Sequence, residues 1–172
     1  MSEQNSQNQA AGSNGKGPQR EMAIQKIYLK DASFEAPSTP EIFRGKWQPS
    51  INVDLDSHAK ALDESVHEVV LRLTITAKQD DQTAFLVEIT QAGIFSIKGA
   101  EKAELGPILG SYCPATLFPF ARQVVNELVT QGGFPQLLLS PVNFDALYAE
   151  QVRRRQQEQS GEAGDRPASE TQ

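Results

Sequence analysis

The sequence predicts an α+β fold, a four-stranded antiparallel sheet with helices packed on one face. Three observations lead there. From about 22 to 90, apolar and polar residues alternate along segments rich in β-branched and aromatic side chains, the pattern of half-buried strands. From about 101 onward, apolar residues recur instead at helical spacing. Between two of the alternating segments lies a short polar run, KQDDQ, at the distance a hairpin loop requires.

Residues 1–20 offer almost no apolar side chains and cannot bury enough area to offset the entropy of ordering, so they are expected to be a disordered extension. MAIQKIYLKDASFEA, 22–36, reads as the first strand. Simple alternation puts Ile27, Leu29, Asp31, Ser33 and Glu35 on one face and Tyr28, Lys30, Ala32 and Phe34 on the other. The proline-rich stretch APSTPEIFRGKWQPS is a long crossing connection rather than a hairpin. SINVDLDSH, 50–58, is a short second strand, with Ile51, Val53 and Leu55 opposed to Asn52, Asp54 and Asp56. HEVVLRLTITA and the segment from Phe85 to Thr90 form the third and fourth, giving a sheet with one apolar and one polar face.

The second half reads as helices. EKAELGPILGSY is a short one, broken near Gly106–Pro107. PATLFPFARQVVNELVTQ is longer, ends at Gly132–Gly133, and tolerates Pro119 if that residue sits in the first turn. Leu137, Leu138 and Leu139 then follow one another between two prolines. In an extended chain they point alternately, so one buried face cannot hide all three. Asn143 caps a last helix with a stripe of Phe144, Leu147, Tyr148 and Val152. Residues 156–172 read as a disordered tail, which leaves 21–155 as the folded domain.

Composition excludes several function classes. A net charge of −6 argues against nucleic-acid binding, which needs clustered Lys and Arg. A single cysteine, Cys113, cannot form an internal disulfide. No signal-peptide core or membrane-length apolar run is visible, so the expected location is the cytoplasm, without membrane insertion. His58 and His67 match no metal-site spacing. DLDSHAKALDES lacks the glycine and the terminal Glu of a calcium loop, and GSNGKG continues with neither Ser nor Thr. No catalytic residue, metal or cofactor is expected.

Two surface properties stand out. Strand alternation can gather Asp31, Glu35, Asp54, Asp56 and Glu88 on one sheet face around Leu86, only partly offset by Arg72 and Lys78; this suits a basic partner. Apolar groups also exceed what a thin two-layer domain can bury: Phe43 and Trp47 on the crossing, the leucine run, and Phe118, Phe120, Phe134, Phe144 and Tyr148 in the helical half. The surplus must be covered by self-association or remain as a groove.

The run YCP…LFPFAR…GGFPQLLLSPVNFDAL, with SFEAP, WQP, DLD and HEVVLRLTITA upstream, resembles the SecB family of bacterial protein-export chaperones over about 22–152. The resemblance implies a homotetramer, a dimer of dimers, acting as an ATP-independent holdase. It implies that unfolded precursor proteins are bound and handed to the SecA motor. By the same resemblance Asp31, Glu35, Leu86 and Glu88 dock SecA, and Phe43, Trp47, Phe120, Leu137 and Tyr148 line the client groove. Two other readings compete: a small α+β domain binding a lipid or other apolar molecule, and an enzyme using Cys113.

Overall fold

A computed structural model describes residues 20–162; residues 1–19 and 163–172, which hold most of the two segments read as disordered, lie outside it. Strands β1 (Glu21–Glu35), β2 (Ser50–Asp63), β3 (Val66–Gln79) and β4 (Gln82–Lys98) form one antiparallel sheet in the order β1-β4-β3-β2. The β3–β4 hairpin closes through Asp80 and Asp81, whose φ angles of 49° and 62° belong to the left-handed pair of a tight two-residue turn. Strand β2 is longer than the sequence suggests, because Ala59 and Ala61 go on pairing with Val69 and His67. Two small residues there hide the alternation that marks a strand.

A single helical run covers one face of the sheet. Helix α1 (Lys102–Pro107) leads through one wide π turn (Ile108–Tyr112) into α2 (Cys113–Gln131). The break expected at Gly106–Pro107 does not occur; the backbone at Pro107, Ile108, Tyr112 and Cys113 is right-handed helical throughout. The π turn takes its place, with the Cys113 N–H donating to the Ile108 carbonyl. Pro107 and Pro114 bracket this turn, and each withdraws one donor from the helical ladder. Pro119 lies within α2 on the exposed side rather than in its first turn.

The core fills the space between α2 and the sheet. Leu71, Leu73, Ile75, Val87 and Ile89 meet Leu117, Ala121, Val125 and Val129, and all of these are fully buried. Each buried large aliphatic side chain contributes roughly 1.5–3 kcal/mol. Helix and sheet approach closely at Gly93, where a Cβ would stand 2.9 Å from the Leu117 side chain.

Helix α3 (Phe144–Glu162) opens with the Ala146 N–H donating to Asn143 Oδ1 at 3.0 Å, the expected cap. It passes the boundary expected at 155, since Gln, Glu and Arg continue a helix readily.

Strand β1 departs from simple alternation. Its register with β4 shifts between Ile24 and Lys26 and again between Leu29 and Asp31. Each shift inserts one residue and reverses the faces beyond it. Ile27 and Leu29 therefore pair with Gly93 and Gln91 on the helix side, whereas Asp31 and Glu35 pair with Thr90 and Leu86 on the outer side. The sequence pattern had put all four on one face.

Candidate functional site

The outer face of the sheet can be read row by row from the strand registers. One row runs Glu35, Leu86, Thr76, Asn52; the next Ser33, Glu88, Thr74, Asp54; the third Asp31, Thr90, Arg72, Asp56. Asp31, Glu35, Asp54, Asp56 and Glu88 thus share one end of this face, all exposed, with Leu86 half-buried among them. Among the described residues, no ion pair engages any of these five acids. Arg72 is the cation set within their rows.

Beyond the third row the face changes sign. Lys26, Ile94, Glu68 and Lys60 form a row in which Glu68 is already occupied. It accepts a hydrogen bond from the Tyr28 hydroxyl and an ion pair from Lys30 Nζ at 2.8 Å. The Lys30 and Tyr28 contacts hold the Glu68 carboxyl below the usual carboxylate range, and the Glu68 bond pushes the Tyr28 hydroxyl up to about 12. The acidic end is therefore bounded on one side by a self-neutralised cluster.

The helix-facing side carries an aromatic cluster built around Phe134. Its ring lies 5.0 Å from Phe43, 5.2 Å from Trp47 and 5.0 Å from Phe85, centroid to centroid. Phe34 stacks on Phe85 at 6.0 Å. Glycines make room for this packing. Any Cβ at Gly132 would overlap the Phe34 ring, and Gly133, with φ of 85°, turns the chain beneath Phe43. The crossing is fastened at the Gln48 N–H, which donates to Gln79 Oε1 at 2.9 Å.

Of the five residues expected in a groove, Phe43 and Trp47 meet through Phe134. Leu137 packs against the same continuous core. Its neighbours divide as an extended chain should, Leu138 72% exposed and Leu139 only 9%. Phe120 projects from α2, 46% exposed, and none of the ring contacts above includes it. Tyr148 sits elsewhere, over Gly106 and Gly110. There it borders a cleft of about 280 Å³ between α3 and β2, lined by Leu55, Phe144 and Leu147 but also by Asp56, Glu150 and Arg154. So mixed a lining is poorly matched to a lipid chain. Phe134, the hub, was counted by the sequence only among the excess aromatics; two glycines directly before a phenylalanine were its signal.

Cys113 offers no nucleophile. It is fully buried where the π turn runs on into α2, its own N–H already given to the Ile108 carbonyl, and burial pushes its thiol up to about 12. Among the described residues no group of three or more His, Cys, Asp or Glu side chains could hold a metal, and no helix is long and apolar enough to cross a membrane.

Known proteins resemble this chain closely. The family described as SecB, preprotein translocase subunit SecB, matches residues 15–155. A protein-export protein SecB from Nitrosococcus oceani is 60% identical over 142 residues, covering 81% of this chain and 87% of its own. Its counterpart from Alkalilimnicola ehrlichii is 51% identical over 154 residues, covering 90% and 82%. In solved structures, a SecB-like chaperone from Mycobacterium tuberculosis, bound to an antitoxin peptide, superposes with a TM-score of 0.59 at 17% identity. It covers 70% of this chain and 90% of that one, a likeness of fold.

Proposed function

The chain belongs to the SecB family of protein-export chaperones, and we propose that it divides its work between the two sides of one sheet. Members of this family are cytoplasmic and are not enzymes. Unfolded precursor segments bind along the aromatic crossing formed by Phe43, Trp47 and Phe134 and along the leucine segment, at half-buried Leu137 and exposed Leu138. SecA docks on the acidic end of the outer face, at Asp31, Glu35, Leu86 and Glu88. Phe120 and Tyr148 extend the client surface as separate contacts.

One observation carries this reading. Phe34 and Glu35, and likewise Phe85 and Leu86, are chain neighbours that face opposite sides of the sheet. A client on one side therefore leaves the other side free for the motor. Binding needs no nucleotide, because it draws on burial of apolar groups at many weak sites along an extended chain. A folded protein has already buried those groups and gains nothing. Selection then rests on folding rate, and slow folders are captured.

Copies assemble as a dimer of dimers, which multiplies the client sites. The support is β1, an edge strand whose helix-facing side leaves Met22, Ile24 and Leu29 at 42%, 47% and 45% exposure. The test is nucleotide-free binding to one slow-folding precursor, presented unfolded and then prefolded. A stable soluble complex with the unfolded form alone is expected; capture of neither form would overturn the holdase.

A further inference from the structure

We infer that Tyr28, Lys30, Glu68 and Gln91 are positioning residues for the acidic docking end, acting by clamping the bulge in β1 that aims Asp31 and Glu35 outward. The inference rests on the reading of that end as the motor's docking surface.

The register supplies the reason. Leu29 pairs with Gln91 and Asp31 with Thr90, so Lys30 is the inserted residue. In a strand of period two, residues 29 and 31 would share a face; the insertion sets them on opposite faces. Asp31 and Glu35 reach solvent only because of it, and Phe34 reaches Phe85 for the same reason. A bulge on an edge strand has one neighbouring strand to hold it and is free to slip.

This bulge is held from both sides of the sheet. On the helix side, the Gln91 side chain, only 3% exposed, donates from Nε2 to the Tyr28 carbonyl at 2.9 Å. On the outer side, Tyr28 and Lys30, the residues flanking Leu29, both reach across β4 to Glu68 on β3. Ala92, the β4 partner of Tyr28, is small enough to pass beneath the ring. None of the five acids of that end takes part in these contacts, and Gln91 lies on the face away from the partner.

Simple electrostatics predicts a different outcome from the same substitutions. Lys30→Gln makes the face more negative and would tighten a basic partner, whereas loss of the clamp weakens it. Tyr28→Phe and Gln91→Leu alter no charge and would change nothing unless positioning matters.

The experiment is calorimetric titration of SecA into each intact variant, alongside capture of an unfolded precursor and thermal melting. Tyr28→Phe, Lys30→Gln and Gln91→Leu should each weaken docking about fivefold, the scale of one lost hydrogen bond. Precursor capture should persist, and Lys30→Arg should dock normally. Unchanged docking in Tyr28→Phe and Gln91→Leu, or tighter docking in Lys30→Gln, would overturn the clamp while Asp31→Asn still weakens SecA binding. If Asp31→Asn and Glu88→Gln also dock normally, the docking reading falls and the clamp falls with it.

Discussion

The Tyr148 ring covers Gly110 so closely that the α-carbon of residue 110 has no space for a methyl group. Helix α3 is seated on the π turn by this contact and by a hydrogen bond from the Ser111 hydroxyl to Asp145, and on α2 by Phe144 edge-on to Phe118 at 5.8 Å. Gly110→Ala should displace the ring and destabilise the fold by about 1–3 kcal/mol, the usual range for overpacking. In a Tyr148→Ala background the same substitution should cost far less. A double-mutant cycle in urea measures the difference, and additive effects would count against the seat.

Phe134 should be the costliest aromatic to lose from the crossing. It is 4% exposed and meets four other rings, Phe34, Phe43, Trp47 and Phe85. Phe134→Ala should destabilise by about 3–5 kcal/mol. Trp47 is the chain's one tryptophan, so its emission reports on this cluster alone. The variant should show a red-shifted emission and weaker capture of unfolded precursor, with SecA docking retained.

Cys113 should resist alkylation while the chain is folded. The folded-state thiol value, about 12, lies above the ordinary 9.0. The neutral thiol's share of stability is therefore fully present below about pH 9 and is lost as pH rises towards 12. Iodoacetamide at about pH 8 should modify it no faster than the protein unfolds. The fall in urea midpoint above pH 9 should be shallower in Cys113→Ala; equal falls would mean that the thiol plays no part.

Docking at the acidic end should depend on salt. Asp31→Asn and Glu88→Gln should each weaken SecA binding and flatten its dependence on ionic strength, because both carboxylates are exposed and outside any described ion pair. Asp63→Asn, at the far end of β2 beside the hairpin turn, should leave both quantities unchanged. Titration at two salt concentrations separates these cases.

Much of the fold was legible because its physics is periodic. The buried stripe of β3 and β4 alternates without interruption from Leu71 to Ile75 and from Phe85 to Ile89. The α2 stripe likewise marks Leu117, Ala121, Val125 and Val129. What escaped was aperiodic. A one-residue bulge at Lys30 leaves no trace in composition, so Ile27 and Leu29 were set beside Asp31 when they face the other way. Gly106–Pro107 has the composition of a break, yet a π turn carries the helix through. The acids at 31 and 35 were grouped correctly only because the bulge lies before them. The aromatic hub depends on a contact between Phe134 and residues far away in sequence, and no spacing rule reports such a contact.

The bulge also bears on how this surface could be inherited. The letters of the acidic face and the direction in which they point are written in different places along β1. A descendant that kept Asp31, Ser33 and Glu35 but lost a single residue just upstream would slip the strand by one. It would then have to turn either its acids into the core or its N-terminal apolar residues into water. Single acids of this face can therefore be substituted more safely than the strand can be shortened, and among relatives a gap at this point would say more about the face presented than a changed acid.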